Sequence, residues 1–160
     1  MPSRIEVIPH EDVVKVLGLH SNLHWSQITG FSRTYLQRLR EGTRKPTPYE
    51  WARLVLPALY HKRATEIGKL PPEPIEVFEE ERMARALTRA QFAVFLGMSQ
   101  KGYENAALGI KGIGIAPQRA LAWWRAGYDW RNYATMRADD VFRERAERMK
   151  RSAKTSKSRN

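Results

Sequence analysis

Two short segments of the chain are rich in side chains that can form hydrogen bonds to the edges of DNA bases: SRTYLQR at residues 32–38 and SQKGYEN at residues 99–105. Arginine and lysine can donate to guanine, glutamine and asparagine can pair with adenine, and glutamate can accept from the amino group of cytosine. The candidate base-contacting residues are Arg33, Thr34, Gln37, Arg38, Gln100, Lys101, Glu104 and Asn105. On a single helix, a solvated face would be the favoured interpretation of such residues.

Five further residues have the type and position expected for contacts with DNA phosphates, which set affinity and register while base contacts select sequence. Two basic residues follow the first segment, and one basic residue holds the comparable place after the second, where glycines would permit close backbone approach. The predicted phosphate contacts are Ser32, Arg44, Lys45, Ser99 and Lys111.

The histidine spacing raises the question of a metal site. His20 and His24 are four residues apart, a spacing that can place two ligands on one face of a helix. A bound metal needs three or four converging ligands. The sequence offers no evident third ligand, since the other histidines are His10 and His61. We therefore expect no metal site.

No other pattern in the sequence indicates catalysis. We find no Gly-rich phosphate loop, nucleophile elbow or spaced carboxylate pair. The run of Glu79, Glu80 and Glu81 suits the start of a helix, where acidic side chains favour the helix dipole. The absence of cysteine excludes disulfides and thiolate metal ligands. We predict that the chain is not an enzyme and uses no cofactor or small-molecule ligand.

Pairs of short helices must position the candidate side chains. Thr88 and Gln91 form a capping-box pattern that begins one helix, Gly97 suits the left-handed residue that ends it, and Ser99 caps the next helix. The same arrangement occurs upstream, and the matching positions are Ser21 with Thr88, Gly30 with Gly97, Ser32 with Ser99, and Gly42 with Gly109. Each pair is predicted to form a helix-turn-helix, and the repetition indicates an internal duplication or two related modules.

Both modules resemble the Cro/phage-repressor (lambda-repressor-like, XRE-type) class of helix-turn-helix proteins. The residues that carry the resemblance are Leu87-Thr88, Phe92-Ala93, Leu96-Gly97-Met98-Ser99, Tyr103 and Gly109 in the second module, and Gly30-Phe31-Ser32-Arg33-Thr34, Leu36, Arg38-Leu39 and Gly42 in the first. The second module departs from the pattern at Gly102 and Ala106, and the first departs in its NLHWSQIT segment. The resemblance covers residues 10–66 and 75–127 and implies a five-helix DNA-binding bundle for each module.

The domain organisation follows from these patterns and from the segment GKLPPEP, whose adjacent prolines cannot continue a helix. We predict an all-α chain with helix-turn-helix bundles at residues 1–67 and 75–136, joined by a Pro-rich linker at residues 68–74. A C-terminal helix at residues 137–151 and a basic, flexible tail at residues 152–160 follow.

The charge distribution indicates a polyanionic partner, either nucleic acid or an acidic membrane surface. The formal net charge is +11; residues 1–80 hold 11 basic and 10 acidic side chains, whereas residues 81–160 hold 17 basic and 7 acidic ones. No apolar run approaches the roughly 18 residues of a membrane span, and the N-terminal segment lacks the apolar core of a signal peptide. We therefore expect a cytoplasmic protein that does not associate with membranes.

These observations favour a sequence-specific regulator that binds double-stranded DNA at an operator or promoter, in particular a repressor of a phage or mobile genetic element. A transcriptional activator or recombination accessory factor would share the same DNA contacts. Another alternative is a protein-binding module, such as an antitoxin or an inhibitor of a host nuclease, with the segment AWWRAGYDW at residues 122–130 as its contact. Those aromatic rings favour a core or interface over base stacking. A homodimer through this Trp-rich segment or the C-terminal helix is also possible.

Overall fold

The computed structural model describes residues 8–158, and the side chains from residue 8 to residue 153. Within this range the chain forms ten α-helices and one 3-10 helix and no β-strand, as the all-α prediction requires. The helices are α1 His10–Leu17, α2 Asn22–Thr29, α3 Arg33–Glu41, α4 Pro48–Leu59, α5 His61–Gly68, α6 Ile75–Ala84, α7 Arg89–Leu96, α8 Gln100–Ala107, α9 Ile115–Arg125 and α10 Ala138–Ser158, with the 3-10 helix at Trp130–Asn132.

The helix boundaries around both glycine turns lie where the local sequence places them. Gly30 and Gly97 end α2 and α7 with φ values of +81° and +70°, a conformation that glycine adopts without steric cost. The hydroxyl of Ser32 accepts from the backbone N–H of Tyr35 and so caps α3. The hydroxyl of Ser99 caps α8 in the same way, by accepting from the N–H of Gly102.

A first hydrophobic core occupies the N-terminal half and is organised around α4. From Trp51 to Leu59 every residue of this helix is buried. Trp25 is fully buried on α2, and its indole N–H donates to the carbonyl of Leu17 at the end of α1. The helix α3 packs on this core through Leu36 and Leu39, which have no exposed surface.

A second, smaller core lies among α6, α7, α8 and α9. It consists of Phe78, Phe92, Ala93, Leu96, Tyr103, Ala120 and Leu121. The family resemblance implies five helices for each module, but the second half forms its core from these four. The remaining helix, α10, packs on the first half instead.

The start of α10 is part of the first core, which corrects the predicted separation of the C-terminal helix from residues 1–67. Ala138 and Val141 are fully buried there. The carboxylate of Asp12 on α1 is 2.7 Å from Nε of Arg137 and also accepts from the N–H of Ala138. The indole of Trp51 donates to the carbonyl of Met136. These contacts hold the start of α10 against the first core of the same chain.

The predicted end of this helix at residue 151 and the predicted tail at residues 152–160 also differ from the structure. The helix continues to Ser158. No glycine or proline interrupts this segment, so its backbone can keep the helical hydrogen bonds. The last two residues of the predicted tail lie outside the described residues.

The first half of the structure, α1–α5, and the second half, α6–α9, are in direct contact and are not held apart by the Pro-rich segment. Gln118 on α9 accepts from the N–H of Glu73 and donates to its carbonyl, both at 2.8 Å. Arg119 donates to the carbonyl of Gly68 at 3.0 Å. The predicted linker is therefore fastened to α9 at both of its ends.

The Trp-rich segment lies between the halves. Trp123 is 2 % exposed and belongs to the first core, although α9 also contributes to the second. The ring of Trp124 packs on Phe95 at a centroid distance of 4.1 Å, and that of Trp130 packs on Tyr49 at 5.3 Å. This packing agrees with the prediction that these rings form part of a core or interface.

We expect Gly97→Ala to destabilise the protein more than Gly109→Ala. Both glycines have positive φ, at +70° and +75°, so both variants incur a backbone cost of about 1–2 kcal/mol. A β-carbon at position 97 would also lie 1.9 Å from Cε1 of Tyr49, whereas position 109 has no atom within 4 Å. Urea unfolding should show an additional loss of about 1–3 kcal/mol for Gly97→Ala. Equal losses would contradict the close approach of Tyr49.

We expect Asp12→Asn to lower the free energy of unfolding near pH 7 by about 1.5–3 kcal/mol, the usual range for hydrogen bonds to charged groups. Hydrogen bonding by Arg137 holds the pKa of Asp12 below its usual 3.8. Because the folded-state pKa is lowered, this stabilisation is present above pH 3.8 and is lost as the pH falls through the folded-state pKa.

The deficit of Asp12→Asn in urea unfolding should therefore shrink progressively as the pH is lowered from neutral through the folded-state pKa. Asp140→Asn is the matched control, because Asp140 forms an exposed ion pair with Arg143 at 2.9 Å. Its loss should stay below about 1 kcal/mol. An Asp12→Asn deficit that is independent of pH would contradict the charged hydrogen bond.

Candidate nucleic-acid interface

The outward face of α3 brings the four predicted base-contacting residues of the first half together. The side chains of Arg33, Thr34, Gln37 and Arg38 are exposed and surround one shallow depression, which Asn22 and Glu41 complete. The opposite face of the helix is anchored by the buried leucines of the first core. A polar face is thus presented to solvent on a helix that is fixed from behind.

The hydrogen bonds on this face distinguish the side chains that are already engaged from those that are not. The amide of Gln37 accepts from Asn22 and donates to Glu41, both at 3.0 Å. It would have to exchange these bonds to contact a base. Among the described residues, Arg33 and Arg38 have no hydrogen bond or ion pair through their guanidinium groups. These two arginines are therefore the groups most ready to bind an acceptor.

The predicted phosphate contacts of the first half lie beside this face. Ser32 uses an oxygen lone pair to cap α3, which leaves its hydroxyl proton able to donate to a phosphate. Arg44 is half exposed, lies 3.9 Å from the carboxylate of Glu50 and stacks over the ring of Tyr35 at 5.3 Å. Lys45 is exposed. The lysine extends a positive surface beyond α3, and Arg44 is partly neutralised by its carboxylate partner.

The face of α8 is less open than that of α3. Gln100 and Lys101 are exposed, but Glu104 and Asn105 are only partly so. The amide of Gln100 donates to the carboxylate of Glu104 at 3.0 Å. The helix is anchored by Tyr103, whose hydroxyl donates to Glu79 at 2.7 Å. Lys101 is therefore the side chain of α8 that is best placed to reach a groove, and Gln100 would first have to exchange its hydrogen bond to Glu104.

The loop after α8 carries both a predicted phosphate contact and a feature that the sequence analysis did not identify. Lys111 is exposed, and so is Ser99 at the other end of α8. Leu108 and Ile110 beside that lysine are 68 % and 69 % exposed, and Ile115 is 60 % exposed. The apolar residues that alternate with glycine in LGIKGIGI are the signal that could have identified this surface.

The structure does not merge the two faces into one site. No hydrogen bond or ion pair between described side chains joins α3 to α8. Each helix presents its own polar surface, and each lies in a different half of the molecule.

The expectation that no third ligand would join His20 and His24 is wrong. His61, the first residue of α5, lies beside both of them, and one ligand atom from each ring lies within 4.8 Å of the others. The Nε2 atoms of His24 and His61 are 2.9 Å apart. Burial and the neighbouring His61 and His24 lower the pKa of His20 to about 4, so its ring is neutral near pH 7. The pair His24 and His61 is separated by 37 residues, so its proximity depends on the packing of α2 against α5.

No helix in the described part of the chain is long and apolar enough to cross a membrane. In comparisons with known proteins, the chain matches no family model, no curated protein and no solved structure. The resemblance to the Cro/phage-repressor class therefore stays a prediction, and the function has to be argued from the residues of this chain.

Proposed function

We propose that the protein is a sequence-specific regulator that binds double-stranded DNA, with α3 as its principal recognition helix and α8 as a second one. The observation that carries this proposal is the exposed face of α3. Arg33, Thr34, Gln37 and Arg38 lie directly after a serine cap, on a helix whose other face is buried. A recognition helix enters the major groove in this way, with residues near its N-terminus at the base edges.

The charge of the molecule supports a duplex as the partner. A net charge of +11 favours association with a polyanion and increases its rate. Arg33 and Arg38 can each donate two hydrogen bonds to one guanine, which is the commonest specific contact in the major groove. Thr34 and Gln37 add groups that can contact neighbouring bases. The cations that follow α3 would hold the helix at a defined register on the backbone.

The unlike sequences of the two helices determine the kind of site that we propose. A protein with one recognition helix per chain reads a palindrome as a dimer. This chain would instead read an asymmetric composite site, because the side chains on α3 and α8 favour different bases. Occupancy of such a site at a promoter would block transcription, which is the action of a repressor. An activator or a recombination accessory factor would use the same contacts.

A second candidate function, a protein-binding module, is supported by the apolar loop after α8. Leu108, Ile110 and Ile115 expose most of their side chains, and grouped apolar exposure is typical of interaction surfaces. This loop is a better contact for a protein partner, such as the target of an antitoxin or nuclease inhibitor, than the Trp-rich segment. Trp123 is buried, and Trp124 and Trp130 are packed against rings of the same chain.

Selection of bound duplexes from a random pool tests the proposal, and we expect the wild-type protein to enrich one sequence at physiological salt. Arg33→Ala should weaken binding to that sequence by about 1–3 kcal/mol and relax the preference at one base pair. Arg63→Ala is the matched control, because Arg63 is also exposed but lies on α5 and pairs with Glu66 at 3.5 Å. Failure to enrich any sequence, or equal losses for both variants, would favour the protein-binding module.

Salt dependence tests the phosphate contacts of each half separately. Removal of one phosphate contact should reduce the slope of log K against log salt by about 0.9. We expect this change for Lys45→Ala if α3 is docked and for Lys111→Ala if α8 is docked. Lys69→Ala is the control, since Lys69 is exposed at the end of α5, away from both helices. Slopes that stay equal to the wild-type slope would contradict the phosphate assignments.

A further inference from the structure

Three histidine side chains from separate elements converge on one point of the surface of the first half. His20 lies in the turn after α1, His24 lies on α2, and His61 begins α5. We call these three residues the histidine cluster. Their candidate ligand atoms lie within 4.8 Å of one another. The rings of His20 and His61 are stacked at a centroid distance of 4.6 Å, and that of His24 stands edge-on to His20 at 4.7 Å.

We propose that the histidine cluster binds one divalent transition-metal ion, with Zn²⁺ as the ion that fits it best. Three imidazoles form a nitrogen donor set that suits zinc and its neighbours in the transition series, and not Mg²⁺ or Ca²⁺, which prefer oxygen. Zinc sites with three protein ligands keep a fourth position for water or an added ligand. The partial exposure of the cluster leaves room for such a fourth ligand.

The distances are close to those of a bound state. Two imidazole nitrogens on a tetrahedral zinc, at about 2.0–2.1 Å each, lie about 3.3 Å apart. Nε2 of His24 and Nε2 of His61 are 2.9 Å apart, slightly nearer than that, and the widest ligand-atom separation is 4.8 Å. Because the rings of His20 and His61 are stacked, their in-plane lone pairs run nearly parallel, so one of these side chains must rotate before all three nitrogens can face one ion.

The hydrogen bond between His24 and His61 also indicates a place for a cation. Two facing Nε2 atoms can bond only if one carries a proton and the other presents its lone pair. A metal ion replaces that shared proton and accepts a lone pair from both rings.

One positively charged group near the histidine cluster should oppose the binding of a metal ion. Arg145 on α10 lines the same surface depression as His61. Its positive charge repels a dication, so it should weaken the site. Removal of this charge is therefore expected to increase the affinity of the histidine cluster for a metal ion.

A bound ion would join α2 to α5 across the first half. The helix α2 is the first member of the first helix pair, so the metal would brace the element that precedes α3. Because the folded state alone brings the three rings together, binding would raise the thermal stability of the protein. This inference does not depend on the DNA-binding proposal, since the site requires only the packing of the first half.

The test is calorimetric titration of the full chain, without an affinity tag, with Zn²⁺ alone. We expect one ion per chain and an affinity that falls at least about tenfold in His24→Ala and in His61→Ala. His10→Ala is the matched control, since His10 is exposed and bonds through Nε2 to the carbonyl of Arg40 at 2.9 Å. This variant should bind as the wild type does, and Arg145→Gln should bind more tightly.

A spectroscopic readout and a folding control complete the test. Co²⁺ in place of Zn²⁺ should give the visible absorption of a four-coordinate site, and this absorption should be lost in His61→Ala. Melting in the presence of a chelator identifies any variant that is unfolded, and His24→Gln then replaces it. Binding of several ions per chain, equal losses in His10→Ala and His61→Ala, or no saturable binding would each overturn the proposal.

Discussion

The rest of the structure depends on the absence of a β-carbon at two turns where the halves pack directly against each other. A β-carbon on Gly30 would lie 2.8 Å from the backbone nitrogen of Ala116, and one on Gly97 would overlap the ring of Tyr49. Each glycine therefore ends a helix and at the same time lets the opposite half approach it. Because the turn and the junction share these residues, the orientation of α3 and α8 is tied to the packing between the halves.

Several basic side chains are engaged in contacts within the chain, which leaves the net charge unchanged but makes these side chains less available to a ligand. Arg53 is fully buried, and its guanidinium donates to the carbonyl of Thr29 at the end of α2. Arg82 pairs with Glu79 at 2.7 Å, and Arg85 lies 4.4 Å above the ring of Trp124. Several basic residues thus hold helices together. The exposure of individual cations is consequently a better guide to a polyanion site than the number of basic residues in a segment.

Local features could be predicted from the sequence, whereas contacts between distant segments could not. The caps and turn glycines follow from side-chain chemistry within a few residues, so the helix boundaries around both turns and the exposure of Arg33 were accessible to sequence reasoning. The convergence of His61 on His24 and the ion pair of Asp12 with Arg137 join residues 37 and 125 positions apart. Nothing in the local pattern specifies such pairs, because they arise from the docking of whole helices.

The return of α10 to the first half has a consequence for biosynthesis. Trp51 and Asp12 are made 85 or more residues before their partners at Met136, Arg137 and Ala138. The N-terminal core therefore stays incomplete while the ribosome synthesises the second half. During that interval the surface that α10 covers in the folded protein lacks its partner, so this core can be completed only after α10 has left the ribosome.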